Sequence, residues 1–342
     1  MNPLAGILLI ALGSVGAASF YVPFKKVTTW AWESYWLIQG VAAWLVAPIL
    51  FAYIFVPRGE LFPIIHEAPL SAKLTAMVFG ALWGFGGLTF GLSIRYLGVA
   101  LGQSIALGLC AAFGTLLPPI IAGENLFAST AGILTVVGVS IAVAGIAAIG
   151  YAGSLKSSEM SEEEKKAAVK EFALKKGILI AIFAGVMSAC FNFGFESGKP
   201  IETIALAHGT NPLFQKNPSL IFILLGGFVT NLVYCGYLNI RHKSYKDYYT
   251  VSGSVLLNNL FFTFLAGFLW FLQFHFFGMG SSKLPESMAV FGWSILMALN
   301  IAISNIWGIF LNEWKGVRQK TIIVLILGIL ILILSTFVVK LG

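Results

Sequence analysis

Glu33, Glu196 and His275 are titratable groups set within, or at the ends of, long apolar runs, and Lys25 closes the first of those runs. Burying such a group is costly unless it is paired or put to use, so each needs a partner or a task. Two readings of Glu33, which sits beside Trp30, Trp32 and Trp36, stay open. It is either an anchor next to an aromatic belt at a membrane interface, or a carboxylate that gains and loses a proton as its surroundings change. Glu196 divides the same way, its local alternative being a pair with Lys199. His275 titrates near neutrality in principle, against the simpler reading of a hydrogen-bonded ring among phenylalanines. Lys25 is either a snorkelling interface residue or a contact to a bound solute.

Neutral polar groups follow: Gln39, Gln103, Asn192, Asn231, Asn258, Asn259, Gln273, Asn300 and Asn305. Amides can fork to adjacent hydroxyls, and an aromatic face can lie against the C–H surface of a polyol, which is the chemistry of sugar recognition. Asn259, Trp270 and Gln273 fall roughly on one side of a helix at 100° per residue. Any one of these amides can equally bond a neighbouring helix. Enzymatic signals are weak. His66-Glu67 lacks the second histidine of a zinc-protease motif, the four histidines have no ligand spacing, and no metal site or organic cofactor is expected. Gly84-Phe85-Gly86-Gly87 resembles a phosphate loop but lies inside an apolar run. Gly80/Gly84, Gly87/Gly91 and Gly98/Gly102 are better read as small-residue pairs that draw the third and fourth helices together.

The elements that must position these groups are membrane helices. Of 342 residues, 21 are basic and 14 acidic, 35 in all or 10%, while 58% are hydrophobic; soluble domains carry about 25% charged residues. Ten segments reach the roughly 20 apolar residues that a span needs. They run at about 4–24, 34–56, 74–94, 98–121, 129–151, 176–196, 218–240, 254–279, 287–311 and 321–339. The first has no preceding basic residue, so it is expected to remain as a helix rather than act as a cleaved signal. Cys110, Cys190 and Cys235 lie in apolar stretches and read as small buried hydrophobes. Pro23, Pro48 and Pro118-Pro119 can kink or break spans.

The net charge of +7 sits in short loops and reads as topology, not as a nucleic-acid site. Loops after odd-numbered helices hold 15 Lys and Arg, the other side six. The odd loops are therefore cytoplasmic and both termini lie outside. One long polar connection, 152–175, carries a capping-box pattern at Ser161 and Glu164 and is expected to form a short linker helix. It joins two halves, 1–151 and 176–342, that resemble each other. A shift of 171 residues pairs Gly6-Ile7-Leu8 with Gly177-Ile178-Leu179, Phe20 with Phe191 and Phe24 with Phe195. Five spans per repeat is an odd number, so the second copy inserts inverted, as in alternating-access transporters. The expected fold is an all-α polytopic membrane protein of ten transmembrane helices in a five-plus-five inverted repeat.

Tyr21-x-Pro23-Phe24-Lys25-Lys26 followed by Trp30-x-Trp32-Glu33 resembles the L-rhamnose–proton symporter family of the drug/metabolite transporter superfamily. So do Phe79-Gly80-Ala81-x-Trp83-Gly84, Gly91-Leu92-x-x-Arg95-Tyr96-Leu97-Gly98, Glu171-Phe172-x-Leu174-Lys175-Lys176-Gly177, Trp270-x-Leu272-Gln273-Phe274 and Glu313-Trp314. The resemblance runs nearly end to end. It implies ten helices and proton-driven import of L-rhamnose, or a related deoxy-sugar, across the bacterial inner membrane. The proton is the coupling ion and no other cofactor is implied. Lys25, Lys26, Glu33, Arg95, Asn231, Asn259, Trp270 and Gln273 match the family pattern. Glu196, Gln103, His275 and Asn258 depart from it; the pattern has an amide, an apolar residue, an aromatic and a histidine there.

The partners expected are thus a small sugar, a proton and the lipid bilayer. Glu33, then Glu196, with His275, are the candidates for proton coupling. Lys25, Gln103, Asn231, Asn259, Trp270 and Gln273 are the candidates for the sugar. The alternatives are the same fold with another sugar or small metabolite as cargo, and a membrane enzyme or receptor, for which no nucleophile–base pair or sensor domain speaks.

Overall fold

The computed structural model describes residues 2–97, 99–159, 173–285, 291–310 and 314–338, with residues 94, 95, 99–101, 103, 104 and 174, Arg95 and Gln103 among them, described by backbone alone. The remainder, which includes the expected capping box at Ser161 and Glu164, Gly98 and Glu313, lies outside the described residues. The described chain is helical, with no strand among those residues. Its elements are α1 (Pro3–Ser19), α2 (Tyr21–Phe24), α3 (Trp32–Gly40), a π-helical turn (Val41–Val46), α4 (Ala47–Phe55), α5 (Leu61–Glu67), α6 (Leu70–Leu97) and α7 (Val99–Ile121). After these come α8 (Thr130–Glu159), α9 (Leu174–Ala207), α10 (Asn217–His242), α11 (Asp247–Thr250), α12 (Gly253–Ser281), α13 (Gly292–Phe310) and α14 (Gln319–Val338).

Among the described residues nine helical stretches are long and apolar enough to cross a bilayer, and a shorter apolar stretch covers Ile105–Ile121 within α7. Large apolar side chains such as Leu179, Ile240 and Phe310 point outward. That is what a lipid-facing surface requires and a water-facing one avoids.

Prolines shape the spans as the sequence implies. Pro23 has no amide to offer the Ser19 carbonyl, and the first span is interrupted at Phe20 between α1 and α2. Pro48 deprives the Trp44 carbonyl of its usual donor, and the turn before it is wound wide into the π-helical segment, where Ala47 N–H bonds Ala42 O. Helix α8 runs on to Glu159, so the start of the expected linker continues the fifth span. There Glu159 caps the start of α14 through Arg318 N (2.7 Å) and Thr321 Oγ1 (2.6 Å).

The helices form two compact units, each drawing on both sequence halves. One comprises residues 1–7, 85–192 and 283–342. In it α8 and α14 pack closely, with Gly145 against Leu332 and Gly328 against Ile149. The indole of Trp293 lies on Gly114 and stacks on Phe191 (ring centroids 5.6 Å apart).

The other unit comprises residues 8–84 and 193–282. Its seams are glycine against backbone: Gly13 and Gly16 meet Gln273 and Leu269 of α12, and Gly267 of α12 meets Gln39 and Ala42. Gly80 and Gly84 face Ile223, Gly227 and Thr230 of α10. The expectation that this pair joins the third helix to the fourth is thereby corrected. Gly226 and Gly227 answer from α10 against Met77 and Trp83, so small residues on both helices permit the approach, while Gly87 and Gly91 have no such neighbour.

Candidate functional site

Every polar group described below belongs to the unit of residues 8–84 and 193–282. Its most distinctive feature is a cluster of tryptophans. Trp83 of α6 and Trp270 of α12 stack with centroids 5.4 Å apart, and Trp44, from the π-helical turn, meets both edge-on at 6.0 and 5.5 Å. Phe20 and Phe274 extend the cluster (6.3 and 5.0 Å from Trp270), and Trp36 joins it through Trp44 at 6.4 Å. Trp36, Trp83 and Trp270 each keep part of their surface accessible, so the cluster presents usable aromatic faces rather than a sealed core.

Two of the expected amides border these rings. Asn231 Oδ1 accepts from Trp36 Nε1 (3.1 Å), and its Nδ2 donates to Gly227 O (2.9 Å). Gln273 is 4% exposed and donates from Nε2 to Trp270 O (3.0 Å). Asn259 is placed differently. Its Oδ1 accepts from Thr28 N (3.1 Å) and its Nδ2 donates to Thr28 O (2.7 Å), so its amide holds the turn between α2 and α3. Asn258 supports the same turn through Lys26 O (2.8 Å), where Thr29 takes a left-handed φ of 65°. Lys25, at the end of α2, is exposed. Asn259 and Trp270 share a helix, but eleven residues of rise, roughly 16 Å, separate them. The side chain of Gln103 lies outside the described residues.

Glu33 is 6% exposed in the first turn of α3. Its partners are distant in sequence and are not Lys25 or Lys26 across the short turn. Oε1 accepts from Ser244 Oγ (2.7 Å) and meets His242 Nδ1 (3.0 Å). Beside it, Asp247 Oδ2 accepts from Ala31 N (2.8 Å) and Ser34 Oγ (2.7 Å). Two carboxylates therefore sit at the amino end of one helix, where free N–H groups favour negative charge. The Tyr248 hydroxyl, which donates to Ser34 O (3.1 Å), closes this network. Burial pushes its pKa up to about 12, so it stays protonated and donating.

The two remaining titratable candidates sit in local pairs. Glu196 pairs with Lys199 one turn on, both side chains being substantially exposed. His275 is buried, its Nδ1 3.0 Å from Asn217 Oδ1, with Phe51, Phe55 and Phe214 packed around the ring.

Sequence reading missed a buried ion pair nearby. Glu202 and Lys216 meet at 3.0 Å with side chains 8% and 15% exposed, the ammonium lying 5.1 Å from the centre of the Phe195 ring. Both residues fall close to helix ends, where charge is unremarkable, so nothing in the sequence marked them. It also gave Gln39 and Trp44 no role, although Gln39 stood among the amides and Pro48 marked the turn that presents Trp44.

Several membrane-spanning helices that carry tryptophan faces and buried amides in one unit have the build of a helical membrane transporter. The chain belongs to the L-rhamnose–proton symport family, matching the family described as "L-rhamnose-proton symport protein (RhaT)" over residues 2–342. It is 36% identical over 341 residues to the L-rhamnose-proton symporter of Yersinia pestis (strain Pestoides F), covering 98% of this chain and 97% of that one. The L-rhamnose-proton symporter of Yersinia pseudotuberculosis serotype O:1b (strain IP 31758) is similar to the same degree, at 36% over 341 residues, with 98% and 97% covered. The family is one of transporters, not of enzymes.

Proposed function

We propose that this protein imports L-rhamnose, or a closely related deoxy-sugar, together with a proton across the bacterial inner membrane by alternating access. The observation that carries the reading is the tryptophan cluster of Trp44, Trp83 and Trp270 with Asn231 and Gln273 at its border, in a chain whose relatives are named for rhamnose–proton symport. The sugar lies with its C–H face against Trp270 and its hydroxyls toward Asn231 and Gln273. Asn259 and Lys25 act from the turn between α2 and α3 and shape the site from outside.

Ten spans arranged as inverted repeats 1–151 and 176–342, joined by a linker at 152–175, underlie the cycle. Two observations support this. Helix α7, at 23 residues, is about 34 Å long, enough for a tenth span. Each compact unit also takes comparable helices from both halves: one holds the fourth and fifth with the ninth and tenth, the other the first and second with the seventh and eighth, while the third and the sixth are each divided, at residues 84/85 and 192/193. The excess of basic residues in odd loops supports a topology with those loops in the cytoplasm and both termini in the periplasm.

Glu33 is the proton carrier in this reading. It is a buried carboxylate whose partners are one hydroxyl and one half-exposed imidazole, with no permanent cation among them. Protonation of Glu33 removes a buried negative charge and frees His242 and Ser244, which lowers the cost of rearranging that end of the unit. Glu196, exposed beside Lys199, and His275, caged and bonded to Asn217, rank behind it. Charge movement on rapid addition of L-rhamnose to proteoliposomes, at several pH values, is the first test. An inward positive current that saturates with sugar is expected. Glu33→Gln should keep exchange of labelled rhamnose and lose proton-driven accumulation; intact accumulation would remove Glu33 from the role.

A further inference from the structure

Three buried polar side chains along one helix seam have no hydrogen-bond partner among the described residues. Gln39 is 0% exposed and neither Nε2 nor Oε1 is bonded; Trp44 Nε1, on a residue 3% exposed, and Thr263 Oγ1, on a residue 0% exposed, are in the same state. Folding leaves such atoms unsatisfied only rarely, because each gives up its bonds to water without return.

The three lie together. The main-chain carbonyl of Gln39 packs on Gly267 of α12, where a Cβ would meet it at 2.7 Å, and the Trp44 indole folds back over Gly40. Thr263 stands one turn before Gly267 and Trp270 about one turn after it, and Trp270 lies 5.5 Å from Trp44. The π-helical turn Val41–Val46 falls between Gln39 and Pro48 and sets the angle at which Trp44 enters. Widened turns of this kind recur at functional sites.

We propose that Gln39, with Trp44 Nε1 and Thr263 Oγ1, forms the hydroxyl-reading face of the sugar site and sets which deoxy-hexose is carried. This rests on the reading of the protein as a sugar transporter and deepens it. A primary amide offers two donor hydrogens and an acceptor, enough to bridge neighbouring ring hydroxyls. The indole N–H adds a donor, and the threonine hydroxyl takes either role. The faces of Trp83 and Trp270 beside them suit the apolar side of the ring. The unpartnered atoms are thus the complement of a polyol, and a site built to bond hydroxyls rejects analogues that lack them.

The test is exchange of labelled L-rhamnose in proteoliposomes holding the full chain, with each monodeoxy derivative of rhamnose as competitor. For Gln39→Leu the half-saturation for rhamnose should rise about tenfold or more. One deoxy derivative that competes poorly in the wild type should then compete as well as rhamnose does, because the hydroxyl it lacks is no longer read. The melting temperature should not fall, since leucine fills the space without an orphaned amide; a purely structural glutamine would lower it. Thr263→Val, which removes one polar atom and keeps the bulk, and Trp44→Phe, which removes the indole N–H and keeps an aromatic ring, supply the same comparison if Gln39→Leu does not fold.

Exchange by the wild type with unchanged half-saturation and unchanged ranking of the deoxy derivatives in the variants overturns the assignment of these residues alone. A wild type that exchanges no sugar at all overturns this assignment and the proposed function together.

Discussion

Asn192 illustrates how a single polar side chain in an apolar span finds its use. Pro118 lacks the amide that would bond the Gly114 carbonyl in α7, and Asn192 Nδ2 donates to that carbonyl at 2.7 Å. Replacing Asn192 with leucine should cost about 1–3 kcal/mol, the price of an orphaned buried acceptor. Adding Pro118→Ala should recover most of it by restoring the helical bond. Melting temperatures of the two variants in detergent check this; a double variant no more stable than the single one would refute the account. The sequence marks Asn192 as polar among apolar neighbours, and marks Pro118 as a helix disruptor. It does not say that one repairs the other, because 74 positions separate them and only packing brings them together. Glu33 is legible to the same extent: the sequence marks it as an acid opening an apolar span beside three tryptophans, whereas its burial and its partners His242 and Ser244, from a distant turn, come only with packing.

Between elements, the Glu202–Lys216 pair fastens α9 to the start of α10, and Gly278 of α12 leaves room for the lysine stem, which a Cβ there would approach at 3.2 Å. A buried pair is costly to break and cheap to replace whole. Glu202→Leu alone should lose about 3–5 kcal/mol, by stranding an ammonium, whereas Glu202→Leu with Lys216→Met should come close to the wild type. Chemical denaturation of the variants decides the point: equal losses in both would mean that packing, not charge, is what the pair supplies. Helix-level reading fared unevenly for a physical reason. A glycine repeat such as Gly80/Gly84 identifies the face of a helix that must approach another closely, which is right here. It carries no mark of the partner, so the adjacent helix in sequence is chosen where α10 in fact packs.

At the scale of the whole molecule, one pH-dependent fastening stands outside the spans. His208 lies between two carboxylates, Glu60 at 2.6 Å from Nδ1 and Glu67 at 3.0 Å from Nε2, and ties α5 to the end of α9 above a small core of Val56, Ile64, Ala68, Ile201 and Ala205. Hydrogen bonds to Glu67 and Glu60 raise the imidazole pKa. A group whose pKa is raised on folding stabilises the fold fully below its unfolded value, about 6.5. That contribution is lost as pH rises through the folded value. The melting temperature of the wild type relative to His208→Asn should therefore shrink from mildly acid toward alkaline pH; a difference that does not change with pH would remove the histidine's charge from the account. Composition made the membrane class legible without any motif, since 10% charge over 342 residues leaves no other solution. The assignment of helices to compact units was not legible, because every span is apolar and hydropathy is blind to which spans are neighbours.

That interleaving constrains how the protein can be made. One unit needs residues 85–192 and 283–342, the other residues 8–84 and 193–282. A chain emerging from the ribosome at about 5–20 residues per second has both units half-built for most of its synthesis. The first cannot close until α14 has emerged. Early helices must wait in the bilayer with glycine seams and polar side chains uncovered, which makes the interval before release the stage at which membrane chaperones and quality-control proteases have the most to recognise.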